Sequence, residues 1–303
     1  MILKPGTPYA GQVLAEIIEE AGVPAGVFNL VNGRGSTVGT ALSRHPDVDM
    51  IAFTGSTGVG IQVQKDAAET VKRVSLELGG KSPQIVLPAA DLAAAAADAV
   101  GRVMGNTGQT CAAPTRTLVQ REQLDAFVGP VRKAVEALTV GDPTGAVDMG
   151  PCANESQWNT VQRYIGLGID EGATLVTGGP GRPDGLDVGW YARPTVFSDV
   201  TNEMTIAREE IFGPVMSILA YDTIDDAIAI ANDSTYGLAA YVFGTSNEPI
   251  ESVASRLRAG QVMIDTAYPD LHAPFGGFKE SGNGRIWGTA GLEEYLETTA
   301  IVR

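Results

Sequence analysis

Cysteine and histidine are scarce in this chain: its 303 residues include two of each, Cys111 and Cys152, His45 and His272. They do not furnish the ligand set of a structural zinc site, so no metal is expected. They do not build a disulfide framework either, and the cytoplasm is the compartment that this cysteine usage fits. Positive charge is also in short supply. Asp and Glu number 36 against 21 Lys and Arg, a net charge of −15. Such a surface repels phosphate backbones and anionic lipid, so no nucleic acid and no membrane is expected among the partners. Long hydrophobic runs are missing too. The stretch Leu92–Val100 contains Asp98, follows Asp91 and is too short for a bilayer, so it reads as a helix. The opening Met1-Ile2-Leu3-Lys4-Pro5 has no charged segment leading into an apolar one, as a secretory signal would.

What is present is a globular composition, with 44% hydrophobic and 19% charged residues, enough to bury a core over one or two domains. Apolar runs alternate with helical spacing from end to end. Helices are expected at Tyr9–Ala21, Ser36–Arg44, Thr57–Ala68, Glu122–Leu138, Glu155–Glu171, Ile224–Asn232 and Pro249–Ala259. Strands are expected at Val27–Val31, Met50–Thr54, Val74–Leu78, Gln84–Leu87, Thr174–Thr177, Val215–Ala220, Ala239–Phe243 and Gln261–Ile264. This order predicts an α/β fold on an open, mostly parallel sheet. The softest boundary is Gly79-Gly80. No internal repeat interrupts the pattern.

Five segments carry chemistry-bearing residues, and each has a plain structural reading beside it. Phe53-Thr54-Gly55-Ser56-Thr57-Gly58-Val59-Gly60 runs from a strand into a helix, whose first N–H groups suit a phosphate or simply a capped helix. Glu77 lies on the apolar strand Leu76-Glu77-Leu78, where desolvation makes a carboxylate basic, unless the strand turns it to solvent. Cys111 ends Asn106-Thr107-Gly108-Gln109-Thr110-Cys111; an expected helix start would stabilise its thiolate, and burial would make it inert. Glu209-Glu210-Ile211-Phe212-Gly213-Pro214 could hold a ribose diol and a ring, or end a helix. Pro274-Phe275-Gly276-Gly277-Phe278 could line a pocket or plug a surface.

Taken in order, these segments resemble the aldehyde dehydrogenase superfamily. The carriers are Lys4-Pro5, FTGST at Phe53–Thr57, LELGGKSP at Leu76–Pro83 and GQTC at Gly108–Cys111. EEIFGPV at Glu209–Val215, STYGL at Ser234–Leu238 and PFGGFKESGNGR at Pro274–Arg285 complete the set. The resemblance implies an aldehyde-dehydrogenase-like fold, with an incomplete Rossmann-like NAD(P)-binding domain over 1–79 and an α/β catalytic domain over 80–282. A returning segment, 283–303, would hold an oligomer-edge strand at Leu296–Val302. The implied reaction oxidises a small-molecule aldehyde to a carboxylic acid, with NAD or NADP as cofactor. Cys111 matches the nucleophile and Glu77 the base that activates water. Gly55 and Ser56 match contacts to the pyrophosphate, Thr57, Val59 and Gly60 line the same helix start, Gly35 lies near the adenosine and Lys4 at the adenine ribose. Glu210 matches the carboxylate on the nicotinamide ribose, Phe212 packs beside that ring, and Phe275 lines the substrate tunnel.

The chain also departs from the family pattern. Lys4 is its fourth residue, whereas the family places a Pro-Trp-Asn segment, with a second oxyanion donor, upstream of Lys-Pro; the matching region lacks the family's N-terminal third. Such a donor is worth about a hundred- to a thousandfold in rate. A homo-oligomer is expected if that part is supplied. The usual glutamate after Lys-Pro is absent from Lys4-Pro5-Gly6-Thr7-Pro8, which leaves NAD against NADP open. Asp265 stands where asparagine is common, and Ile286 where glutamate is common. Two alternatives remain from sequence alone: a truncated, non-catalytic fragment or partner-dependent subunit, and a dehydrogenase that passes its acyl group to coenzyme A, against which Glu77 speaks.

Overall fold

The computed structural model describes residues 2–3 and 9–303, and its elements largely follow the alternation read from the sequence. Two units divide the chain, Met1–Ser75 and Leu76–Arg303. In the first, β1 (Ile2–Leu3) pairs in parallel with β2 (Val31–Asn32), with α1 (Tyr9–Glu20) between them in sequence. The strand expected at Val27–Val31 shrinks to β2, because a turn closed by Val27 N–H on Pro24 C=O and Gly26 at φ +92° use up the residues before it. A π-type turn, Gly35–Gly39, leads into α2 (Thr40–Arg44), followed by β3 (Met50–Thr54) and α3 (Thr57–Ala68). Arg44 bonds the nearly buried Asp66 at 2.8 Å and ties α2 to α3.

β4 (Arg73–Glu77) leads into the second unit. There the chain runs through β5 (Pro83–Val86), α4 (Leu92–Met104), β6 (Arg116–Gln120), α5 (Leu124–Glu136) and α6 (Glu155–Asp170). It continues with β7 (Thr174–Thr177), β8 (Thr195–Ser198), α7 (Thr205–Arg208), β9 (Val215–Tyr221), α8 (Ile224–Asn232), β10 (Ala239–Phe243) and α9 (Asn247–Ala254). Last come β11 (Gln261–Ile264), β12 (Gly282–Asn283) and α10 (Gly288–Glu293). Seven strands form one sheet in the order β11-β10-β5-β6-β9-β8-β7, parallel except for β7 against β8. Helices cover both faces, as a parallel sheet requires. On one face α6, α8 and α9 pack Val161, Ile165, Ile228 and Val253 against the strands. On the other, α4 and α5 bring Ala95, Ala99, Val103, Phe127 and Val131. Asp91 caps α4 by accepting the N–H groups of Ala93 and Ala94, so the alanine run is a helix as expected.

Two differences from the sequence reading stand out. The central strand β6 was not anticipated, since Arg116 and Thr117 look like surface residues yet are 1% and 0% exposed. The helix expected over Pro249–Ala259 stops at Ala254, where Ser255 to Leu257 form turn bonds that lead into β11. Leu296–Val302 forms no strand within the chain: no described strand lies alongside, and Ile301 and Val302 are exposed.

Candidate active site

The candidate residues of the second unit gather at the amino ends of neighbouring parallel strands. Gly79 and Gly80 precede β5, Cys111 precedes β6, Glu210 and Phe212 precede β9, and Leu238 precedes β10. Since these four strands are adjacent and parallel, the segments feeding them meet at one end of the sheet.

Cys111 does not begin a helix. It sits in a turn between a short 3-10 segment (Gly105–Gly108) and β6, which corrects the expectation of a helix start. The turn is held in an uncommon conformation, with Asn106, Thr107 and Gly108 at φ of 51°, 59° and 67°. For β-branched Thr107 that is a strained geometry. It is pinned by the Thr107 hydroxyl donating to Gly150 C=O at 3.1 Å. Gly108 is required there: a Cβ would lie 2.1 Å from the Gly213 carbonyl oxygen. Burial first, and then the Glu210 carboxylate, push the Cys111 thiol up, while the N–H groups of Ala112 and Cys111 that face the sulfur pull it down; Glu77 adds to the rise. The thiol is therefore not activated by a helix end and needs a base.

Glu77 is the candidate for that base. It lies on β4 opposite Gly282, is 5% exposed, and neither carboxylate oxygen has a hydrogen-bond partner among the described residues. Burial pushes it up to about 7; Arg285 opposes this and Glu294 adds to it. The bland alternative, a solvent-facing strand residue, is thus overturned by the packing. A Cβ on Gly276 would sit 2.7 Å from Glu77 Oε1 and 2.9 Å from Arg285 Cδ, so the arginine stem flanks the carboxylate. Arg285 is itself fixed by donating to the carbonyls of Gly277 and Gly284.

Glu210 accepts the Gly80 N–H at 3.0 Å and lies flat against Gly79, where a Cβ would come within 2.1 Å of Oε2. Burial raises its carboxyl, and the Gly80 bond and Lys81 oppose the rise. Its neighbour Glu209 is spent differently, accepting the Tyr164 hydroxyl at 2.6 Å. Phe212 is half exposed at φ 55°, with its carbonyl held by Gln157. Phe275 is buried and stacks on Trp287 with ring centroids 4.8 Å apart. Two residues here carried no role in the sequence reading. Lys81 is 1% exposed with no partner for its ammonium among the described residues, and burial, reinforced by Arg116, lowers it to about 7. Trp287 gave no motif signal at all.

In the first unit, Ser56 caps α3 with its backbone while its hydroxyl takes no N–H from the first turn. Gly55 packs on Phe53, where a Cβ would meet the ring at 2.4 Å. Thr57 is half-buried, Val59 exposed and Gly60 buried, its N–H on Ser56 C=O. Gly35 opens the π-type turn, and a Cβ there meets nothing within 4 Å. Lys4 lies outside the described residues. Among those described, no group of three or more His, Cys, Asp or Glu could hold a metal ion, and no helix is long and apolar enough to cross a membrane.

The model of the aldehyde dehydrogenase family matches residues 1–301, and the chain belongs to that family. Curated relatives from Staphylococcus aureus strains MSSA476 and MW2, carrying the aldehyde dehydrogenase name, are 51% identical over 306 residues, which is 99% of this chain and 64% of theirs. The chain therefore spans somewhat under two thirds of the length of these relatives. Among solved structures, it is similar to aldehyde dehydrogenase C of Pseudomonas syringae, a cysteine-to-alanine variant in complex with NAD+ and octanal. The TM-score is 0.98 at 53% identity, covering 99% of this chain and 63% of that one. The aldehyde dehydrogenase of Mycobacterium tuberculosis complexed with NAD+ follows with a TM-score of 0.93 at 48% identity, covering 96% and 61%.

Proposed function

We propose that the chain carries the thiol chemistry of an NAD(P)-dependent aldehyde dehydrogenase, oxidising an aldehyde to a carboxylic acid. The observation that carries this reading is Glu77, a buried carboxylate without hydrogen-bond donors among the described residues, raised to about 7 and close enough to act electrostatically on the Cys111 thiol. The residues present also fit a dinucleotide. Gly79 leaves room for the Glu210 carboxylate, which the Gly80 N–H orients to receive a ribose diol. In the first unit, the Ser56 hydroxyl, which makes no cap bond to the first turn of the 12-residue α3, suits a pyrophosphate. NAD+ in the Pseudomonas and Mycobacterium structures supports the same assignment.

Near neutrality Glu77 is about half ionised, so it takes the Cys111 proton. The sulfur then bonds the aldehyde carbon, and the oxygen gains charge near the Cys111 N–H. A bound nicotinamide supplies the hydride acceptor that leaves the carbon as a Cys111 thioester. Once Glu77 has released the thiol proton to solvent, it takes a proton from water as the water oxygen bonds the acyl carbon, and returns it to the departing sulfur. The C–S bond breaks, the acid leaves and the sulfur is restored. A base of this kind contributes about 10²- to 10⁴-fold. Exposed Leu292, Tyr295, Leu296, Ile301 and Val302 support association of the chain with further copies.

The test follows absorbance of the reduced cofactor with aldehyde and NAD+ or NADP+, beside Cys111→Ala and Glu77→Gln. A signal lost in both variants supports the reading. A folded chain that binds NAD+ but forms no reduced cofactor refutes it, in favour of a non-catalytic role.

A further inference from the structure

We infer that Tyr241 is a positioning residue for Cys111. Its hydroxyl, steadied by the Asp98–Arg102 pair, fixes the Ala112 carbonyl and so keeps the N–H groups of the turn on the sulfur. The inference rests on Cys111 as the nucleophile and goes on to what aims it.

The turn that carries Cys111 is held at three successive carbonyls. That of Thr110 accepts the Ala113 N–H at 3.1 Å. That of Cys111 packs on Gly80, where a Cβ would come within 2.5 Å of it. That of Ala112 accepts the Tyr241 hydroxyl at 2.9 Å, in a buried setting. Ala112 is thus gripped at both ends, its N–H facing the Cys111 sulfur and its C=O facing Tyr241. Of the three contacts, the last is the one made by a side chain, and Tyr241→Phe removes it as a single oxygen.

The ring that carries this hydroxyl is fixed in turn. Tyr241 lies on β10 opposite Gln84 of β5 and Met263 of β11. The Arg102 guanidinium, from α4, sits over its ring 4.9 Å from the centroid, as a cation on an aromatic face prefers. Arg102 Nε donates to both oxygens of Asp98 at 2.9 and 2.8 Å. Its Nη2 donates to the carbonyls of Asp265 and Ala267 at 2.9 and 3.0 Å. Asp98 also accepts Gln84 Nε2 at 2.8 Å, which ties the pair back to the strand beside Tyr241. A chain of bonded groups therefore runs from α4 to the residue next to the nucleophile.

The rival is a buried tyrosine that merely satisfies its own hydroxyl. The sulfur tells the two apart. Burial pushes the Tyr241 phenol up to about 12; Arg102 opposes this, and Cys111 and Asp98 add to it. Tyr241 is then a neutral donor from neutrality into the mildly alkaline range. The charges that act on the thiol are those of Glu210 and Glu77, and Tyr241→Phe leaves both in place. A change in the thiol on that substitution reports the backbone alone.

The experiment needs neither cofactor nor turnover. The full chain and its variants are labelled with iodoacetamide from neutral to mildly alkaline pH, and alkylation of Cys111 is read by peptide mass mapping. Cys152 does not compete, being 2% exposed with its thiol pushed up to about 11. Misaligned N–H groups forfeit part of a hydrogen bond to a charged sulfur. The Tyr241→Phe profile should therefore move up by about one pH unit, about tenfold slower at a fixed pH below the midpoint. Where reduced cofactor forms, kcat should fall comparably, with KM within about twofold of wild type. Arg102→Lys keeps a charge opposite Asp98 but cannot also span the ring and the loop carbonyls. It should slow alkylation about threefold, the scale of one cation–π contact. The double variant should be no slower than Tyr241→Phe, because Arg102 acts through the ring. An unchanged profile in a folded Tyr241→Phe, or two effects that multiply in the double variant, overturns the proposal. Should Tyr241→Phe fail to fold, Arg102→Lys decides: slower labelling supports the proposal and unchanged labelling overturns it. A shifted profile in a chain that forms no reduced cofactor leaves the positioning role standing and removes the dehydrogenase reading.

Discussion

Replacing Glu77 by glutamine separates the two consequences of burying a carboxylate. The group sits at about 7 in the fold against an ordinary value of 4.5, chiefly because burial penalises its charge. Between those two values the native state holds a proton that the unfolded chain has released. By linkage the wild-type fold loses stability as the pH rises from about 4.5 to about 7, and above that carries a constant penalty. At 1.36 kcal/mol per pH unit, the loss is about 3 kcal/mol. Glutamine has no proton to lose. Its own unpaired amide in the pocket costs a constant amount at every pH, so the comparison must be a difference of differences. The stability of Glu77→Gln relative to wild type should increase by about 3 kcal/mol between pH 4.5 and pH 8. All three tryptophans, Trp158, Trp190 and Trp287, lie in the Leu76–Arg303 unit, so their fluorescence during urea unfolding reports the unit that contains Glu77. Parallel pH curves for the two proteins would refute a desolvated Glu77, and the general-base assignment with it.

Other perturbations test neighbouring parts of the site. Glu210→Gln removes a charge that raises the Cys111 thiol, so iodoacetamide labelling of Cys111 should begin at lower pH than in wild type, as followed by mass mapping. Gly79→Ala puts a methyl where Glu210 Oε2 lies, 2.1 Å away. It should weaken NAD+ binding about tenfold or more in calorimetry, at the scale of one lost charge-assisted bond, while leaving the far-ultraviolet dichroism unchanged. Arg116→Met strips donors from the carbonyls of Lys81, Ile230 and Ala231 and from Asn202 Oδ1, all in a buried setting. The cost should be at least about 3 kcal/mol, read as a lower urea midpoint.

How far these elements were legible depended on whether the local pattern agreed with the final environment. Ile224–Asn232 and Met50–Thr54 came out at the residues expected, because a capping threonine in one case and a short apolar run in the other carry their own boundaries. β6 escaped notice for the opposite reason. Arg116 at its start is buried only because four acceptors surround it, from Lys81 before β5, from Asn202 and from Ile230 and Ala231 near the end of α8, which no local window reveals. Glu77 and Cys111 were visible as candidates through their neighbours in sequence, but the state of each was not. Whether Glu77 faced solvent depended on Gly276, Gly282 and Arg285, some two hundred residues away. The expected thiolate at a helix start failed because residues 106–108 take left-handed conformations and deliver Cys111 into a turn.

The order of residue types along the chain therefore settled the fold class and the family and marked Cys111 and Glu77 as candidates, because glycine-rich turns and short apolar strands are locally encoded. Tertiary structure alone decided the chemistry those two groups can perform. Burial sets whether a carboxylate is an acid or a base, and burial is a property of everything that packs around it.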